Sequence, residues 1–179
     1  MDPFALLGVP RRFDLDLGAL EKTHRELSRA LHPDRFSQAG ASERRASLEK
    51  MASVNEAWRI VRDPIRRAEA LFRLAGAEVG ENEERSHAAP TPAFLMEVLE
   101  EREALSEAKE ANDLAKVAKI GATMKGRASG VEAKLTAAFS QEHPNVGALL
   151  PLLGELRFYR RFLDEVSAIE EEAEERAAT

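Results

Sequence analysis

The sequence predicts an all-α chain, and three observations carry that expectation. Ala, Leu, Glu, Arg and Lys dominate the 179 residues while Tyr and Trp occur once each, a bias toward side chains that lose little freedom in a helix. Apolar residues recur at i, i+3, i+4 and i+7 over long stretches, the period of one helix face. At three points a capping residue stands directly before a proline, Asp2-Pro3, Asp63-Pro64 and Thr91-Pro92, which is how many helices open. Hydrophobic residues at 44% and charged residues at 32%, with 10 Gly and 8 Pro, are ordinary globular composition, and the length suits one domain or two small ones.

Asp2-Pro3 opens a short first helix that Gly8 ends. A second helix, from about Leu17 to Leu31, places Leu20, Leu27 and Leu31 on one side with His24 in register, while Lys22, Arg25 and Arg29 line another face. Pro33 stops it, since proline cannot donate a backbone hydrogen bond and restricts the residue before it. A polar loop is expected at Phe36 to Ala41. A third helix, from about Ser42 to Arg62, carries Leu48, Met51, Val54, Trp58 and Val61 on one side, and a fourth runs from Asp63-Pro64 through Leu74, ended by Ala75 and Gly76. Residues 76–91, with two glycines, a run of acids and little apolar periodicity, read as a linker. Thr91-Pro92 then opens a helix to about Ala111. Another carries Leu114, Val117, Met124, Val131 and Leu135 through Phe139, and its glycines Gly121, Gly126 and Gly130 predict local irregularity. His143-Pro144-Asn145 turns the chain into a last helix with Leu149, Leu156, Leu163, Val166 and Glu170 on one stripe, ending in a solvated acidic stretch, Glu170 to Glu175. Three antiparallel helices with short connections make a small bundle.

Composition narrows the chemistry. The absence of cysteine removes disulfides, thiolate metal sites and cysteine nucleophiles. No stretch approaches the roughly 18 apolar residues of a membrane span, and Met1-Asp2-Pro3-Phe4 lacks the pattern of a signal peptide, so a soluble cytoplasmic protein is expected. Net charge is -6, but residues 1–75 hold 14 Lys and Arg against 11 Asp and Glu, whereas residues 76–179 hold 12 against 21. Opposite signs in the two halves point to two partner surfaces. A nucleic-acid surface on Lys22, Arg25 and Arg29 is disfavoured by the total charge and by the lack of an aromatic stacking platform. His24 lies in core register, and His87 and His143 have no second ligand at a metal spacing, so no metal or other cofactor is assigned. Paired carboxylates such as Glu100-Glu101 come without a phosphate loop or pocket signature, and no catalytic residues are assigned.

The tripeptide His32-Pro33-Asp34, between the basic helix and the loop, stands out. A given tripeptide arises by chance on the order of once per 10,000 positions. It is accompanied, in order, by Phe4-Ala-Leu-Leu-Gly-Val9, Val54-Asn-Glu-Ala-Trp58 and Asp63-Pro-Ile-Arg-Arg-Ala68. Together these resemble a J-domain, and the resemblance covers residues 1–75. It implies a helical hairpin with short flanking helices, in a non-enzymatic co-chaperone that activates the ATPase of a DnaK-type chaperone. His32, Pro33 and Asp34 would then trigger hydrolysis, and Lys22, Arg25 and Arg29 would meet the chaperone's acidic surface. The residue types suit this. A carboxylate in a tight turn accepts charge-assisted hydrogen bonds, and a Lys/Arg row steers encounter.

The second half narrows the resemblance. Phe94-Leu-Met-Glu97 and Leu99-Glu-Glu-Arg-Glu-Ala-Leu105, heading an acidic three-helix segment at 92–179, with Leu156-Arg-Phe158 in the final helix, are similar to the HscB family of iron–sulfur cluster assembly. The Gly/Phe-rich segment and Cys-rich repeats of DnaJ-type proteins are missing, and so is the cysteine-ligated module of some eukaryotic members, which favours a bacterial type. The resemblance implies an HscA-type chaperone partner and delivery of an IscU-type scaffold protein; a different client is the alternative. Periodicity adds a partner surface of its own. At 100° per residue from Leu95, Phe94, Val98 and Leu105 fall between about 260° and 300°, while Leu95, Met96 and Leu99 fall between 0° and about 100°, beside Glu100 and Glu103. One face enters the bundle; the other is bound by another protein or covered by the first domain. Phe158, about 200° from Leu156, is expected to point away from the core. By resemblance the scaffold-binding residues are Leu95, Met96, Leu99, Glu100, Glu103 and Phe158, with Phe162 as the alternate aromatic.

Overall fold

The computed structural model describes residues 1–36, 40–79 and 91–178. Among them are seven α-helices, one 3-10 turn and no strand. The helices are α1 (Pro3–Leu7), α2 (Leu17–Ala30), α3 (Ala41–Arg62), α4 (Pro64–Leu74), α5 (Pro92–Glu110), α6 (Leu114–Phe139) and α7 (Val146–Ala177). The chain divides into two compact units, Met1–Ala77 with Phe139–Pro144, and Glu78–Ala138 with Asn145–Thr179. Of the expected linker at 76–91, residues 80–90, and His87 with them, lie outside the described residues.

In the first unit the caps do what their residue types predict. Asp2 Oδ1 accepts from the amides of Phe4 at 3.0 Å and Ala5 at 3.3 Å, and Gly8 ends α1 at φ 65°, a left-handed conformation that costs glycine little. Asp63 Oδ1 accepts from Ile65 and Arg66 at the start of α4. Phe4, Leu7, Phe13, Leu20, Val61 and Phe72 form the core, each large side chain contributing about 1.5 to 3 kcal/mol by leaving water. Arg67, a charge in this interior, donates to the Phe13 carbonyl at 2.7 Å with its guanidinium over the Phe13 ring, which joins the α1–α2 connection to α4. Phe139, grouped with this unit, meets Phe72 edge-on at 5.2 Å.

One expectation about faces needs correction here. Leu48 is half exposed, not core. It lies about 120° around α3 from Val54, at the margin of the buried arc, whereas Ser47, Val54, Ala57 and Val61 occupy its centre. Of the loop expected at Phe36 to Ala41, Phe36 ends a 3-10 turn begun at Pro33 and Ala41 opens α3, while residues 37–39 lie outside the described residues.

In the second unit, Thr91 Oγ1 caps α5 by accepting from the Phe94 amide at 3.3 Å, and Asn112, at φ 52°, turns the chain toward α6. Helix α6 is uninterrupted, contrary to the irregularity expected from its glycines. At Gly121 a Cβ would stand 2.9 Å from Val166 Cγ1, so glycine there permits a close approach of α7; at Gly126 and Gly130 a Cβ would meet nothing within 4 Å. Helix α7 carries the acidic stretch within it. Its buried surface is not the single stripe expected, because Leu163 and Leu149 are half-buried and Phe162 is fully buried; on α6, Leu114, expected on the core side, is exposed.

Phe158 is the larger correction. It is 7% exposed and sits in an aromatic cluster, 5.4 Å from Phe94, 5.8 Å from Tyr159 and 5.7 Å from Phe162 between ring centroids. Leu156, about 200° away, is buried too. Opposite sides of α7 are therefore covered at the same level, and angular distance from one core residue does not place Phe158 in solvent.

Candidate functional site

Two surfaces, one in each unit, collect the side chains with chemistry to offer. The first begins on α2, held to α3 by contacts that position its exposed face. His24 stacks on Trp58 with ring centroids 4.8 Å apart and 11° between planes, and its Nε2 lies 2.9 Å from Asn55 Oδ1. Half-buried, it is part of the hairpin's packing. Near the end of α2, Ser47 Oγ donates to the Leu31 carbonyl at 2.9 Å, which anchors the backbone one residue before His32. Lys22, Arg25 and Arg29 are all exposed. Arg25 has Glu21 at 3.7 Å with both side chains in solvent, a pairing of little energetic consequence.

The turn after α2 is ordered through its own backbone. The His32 carbonyl accepts from the Arg35 amide at 3.0 Å, and the Asp34 amide donates to His32 Nδ1 at 3.3 Å. Nδ1 is turned inward to Asp34, which leaves Nε2 facing outward for a partner. Asp34 Oδ2 is 3.4 Å from the same Nδ1, and the Asp34 side chain is 89% exposed. A carboxylate presented this openly is suited to a partner's guanidinium or backbone amides. Beside the turn lies an apolar hollow of 400 Å³ lined by residues including Leu6, Leu31 and Val54. It was not read from the sequence, since it needs three elements to converge.

The second surface is on α5. Phe94 and Leu105 are buried and Val98 is half-buried, while Leu95 is 48%, Met96 63% and Leu99 62% exposed. The two apolar faces expected from periodicity are present. Glu100 and Glu103 flank the outer one, also exposed. Three large apolar side chains within five residues, bordered by acids, are the composition of an interaction patch. Behind it, Arg102–Glu165, Lys109–Glu172 and Arg127–Glu101 tie α5 to its neighbours at 3.9, 3.8 and 3.0 Å. Phe158 does not share this surface; it packs beneath α5 against Phe94. Among the described residues no group of three His, Cys, Asp or Glu could hold a metal ion, and no helix is long and apolar enough to cross a membrane.

Comparison with known proteins places the chain in a family. Residues 90–167 match the family model described as the HSCB C-terminal oligomerisation domain. The co-chaperone protein HscB homolog of Bordetella petrii is 36% identical over 147 residues, which span 82% of this chain and 84% of that one. The chain belongs to the HscB family. An HscB homolog of Cupriavidus taiwanensis is 45% identical over 109 residues, covering 61% of this chain and 60% of the relative. In three dimensions the chain is similar to chaperone HscB from Vibrio cholerae, with TM-score 0.81 and 29% identity over 96% of this chain and 99% of that one. It is equally similar to the human co-chaperone protein HscB, with TM-score 0.81, 26% identity, and 95% and 82% of the two chains covered. The HscB relatives are named co-chaperones, and the all-α architecture of the two units is that of the family.

Proposed function

We propose that this HscB-family chain joins two partners in iron–sulfur cluster assembly. Residues 1–75 act as a J-domain on the ATPase of an HscA- or DnaK-type chaperone, and residues 92–179 hold an IscU-type scaffold protein. His32, Pro33 and Asp34 trigger hydrolysis, with Asp34 accepting charge-assisted hydrogen bonds and His32 Nε2 facing the partner. Lys22, Arg25 and Arg29 speed the encounter with an acidic chaperone surface. Leu95, Met96 and Leu99 are the apolar anchors for the scaffold, and Glu100 and Glu103 set its register by charge. Phe158 serves this surface from below, holding α5 through Phe94. The chain itself performs no catalysis and works in the cytoplasm.

The observation that carries this reading is the exposure of two chemically different surfaces on separate compact units of one HscB-family chain. Holding both partners at once makes the second encounter intramolecular, with effective concentrations on the order of millimolar for short connections. The test is steady-state ATP hydrolysis by the chaperone with this protein, the scaffold, and both. Stimulation by this protein alone, and a larger stimulation with both than the sum of the two, is expected. No stimulation by the chain alone rejects the J-domain role; stimulation that ignores the scaffold rejects delivery.

A further inference from the structure

The three helices of the second unit line an open cleft of 650 Å³ that the function above does not use. Its lining includes Phe94 and Glu97 from α5, Gly130 and Lys134 from α6, and Glu155 and Tyr159 from α7. Tyr159 is only 5% exposed, yet its hydroxyl has no hydrogen-bond partner among the described residues. The ring is packed away and the hydroxyl opens to the cleft, where a ligand can meet it. Glu97 and Glu155 make no ion pair or hydrogen bond among the described residues either. Burial pushes the Glu155 carboxyl above the usual carboxylate range, with Lys134 opposing the rise and Glu97 adding to it.

Neither cation at the cleft makes an ion pair with Glu97 or Glu155, although the Lys134 charge acts on Glu155 from a distance. Arg127 is engaged by Glu101 at 3.0 Å, and Lys134 is an exposed side chain on a long flexible stem. What the cleft lacks is a compact positive charge carrying N–H donors, at the end of an apolar stem. We propose that it is a receptor for an aliphatic cation, an alkylammonium or alkylguanidinium group. The charge lies between Glu97 and Glu155, an N–H donates to the Tyr159 hydroxyl oxygen, and the stem runs along Phe94. Gly130 keeps the entrance wide, because no side chain projects there. The group comes either from a Lys or Arg side chain of a partner or from a free polyamine. Glu97 lies only about 60° around α5 from Glu100, so the cleft opens beside the outer face of that helix. The site does not depend on what that face binds.

The test is titration of the isotope-labelled full chain, followed by amide resonances in NMR, with n-butylammonium and n-butylguanidinium against n-butyrate and n-butanol. Saturable shifts at Gly130, Val131 and Tyr159 are expected for the two cations alone. E97Q/E155Q should weaken them at least tenfold with helicity retained. G130L, whose Cβ meets nothing within 4 Å, should fold normally and abolish binding by filling the entrance. Nα-acetyl-lysine methylamide binding more tightly than spermidine assigns the site to a side chain, and the reverse to a free polyamine; either supports the receptor. Butyrate binding as well as butylammonium would make this an anion site of Lys134 and Arg127 and overturn the proposal. So would an absence of saturable shifts up to about 50 mM, a weak limit even for so few atoms, or full affinity in E97Q/E155Q.

Discussion

The outer face of α2 is charged and held by polar contacts and one stacked histidine, whereas that of α5 is apolar and held by buried aromatic and aliphatic side chains behind it. At α2 the anchors are the Ser47 hydroxyl on the Leu31 carbonyl and the Asp34 amide on His32 Nδ1, leaving Lys22, Arg25 and Arg29 in water. Charges placed so cost folding little, act at a distance and are screened by salt. At α5 the anchors are Phe94, Leu105, Ala108 and the aromatic cluster around Phe158. Leu95, Met96 and Leu99 give affinity only when a partner removes them from water. One surface should therefore act mainly on association and on a chemical trigger, the other on residence.

The sharpest break of this contrast lies within the second unit. L95S/M96S/L99S removes three exposed anchors worth on the order of 1 to 2 kcal/mol each in a desolvated patch, so scaffold affinity should fall by about two to three orders of magnitude, allowing for non-additivity. Helicity and melting temperature should stay nearly unchanged. F158A should do the opposite, costing folding about 3 to 5 kcal/mol as a buried aromatic truncation. Calorimetric titration and thermal melts of the two proteins decide it; a large stability loss in the triple variant would show that these side chains are packed in solution.

In the first unit the corresponding break is H32Q. The glutamine keeps a polar side chain but not the imidazole geometry that pairs Nδ1 with the Asp34 amide. A lost charge-assisted contact is worth about 1.5 to 3 kcal/mol, so chaperone stimulation should drop at least about tenfold with no change in melting temperature. Normal stimulation by H32Q would remove the trigger from this turn. K22E/R25E/R29E should give a smaller, different effect: docking slowed about tenfold at low salt, with the difference shrinking as ionic strength rises past 0.1 M, where screening acts within about 10 Å. Stopped-flow association at several salt concentrations measures it, and rates insensitive to salt and to reversal would leave the row as solvated surface.

What could be read in advance follows the range of the forces involved. Caps and proline starts at Asp2, Asp63 and Thr91 depend on residues two or three apart, and all three helices begin where the sequence places them. The His32 turn and the two faces of α5 were legible because exposed chemistry is contiguous in the chain. Leu48, Phe158 and Gly121 were not. Whether a helix position is buried on one side or two, or approached by another backbone, depends on elements distant in the chain, Phe94 for Phe158 and Val166 for Gly121. The Tyr159 cleft is the extreme case, since it exists only where three helices meet. Gly121 and Gly126 sharpen this point. G121A forces a Cβ to within 2.9 Å of Val166 Cγ1 and should destabilise by about 1 to 3 kcal/mol, while G126A, with open space around it, should stabilise by about 0.5 to 1 kcal/mol. Chemical denaturation of the pair tests this, and equal effects would show that α6 and α7 are not in close approach at Gly121.

The smallest expected effect concerns the start of α1. Burial pulls the Asp2 carboxyl upward, but hydrogen bonds from Arg11 and from the Ala5 and Phe4 amides, together with the Arg11 charge, outweigh it and leave the group below its usual value of 3.8. Arg11 lies 2.7 Å from Asp2 Oδ2. A carboxylate depressed in the folded state adds stability that is fully present above its unfolded value and is lost as pH falls through the folded one. D2A should therefore cost about 0.5 to 2 kcal/mol at neutral pH, the usual range for an N-cap, and the gap to the wild type should narrow steadily below about pH 4. R11A should reproduce a fraction of that loss with the same pH profile, because it removes the ion pair and leaves the two amide bonds. Denaturation midpoints of the three proteins between pH 2.5 and 7 measure both. A gap that is constant across this range would mean that Asp2 caps α1 equally well when protonated, and that Arg11 adds nothing to the fold.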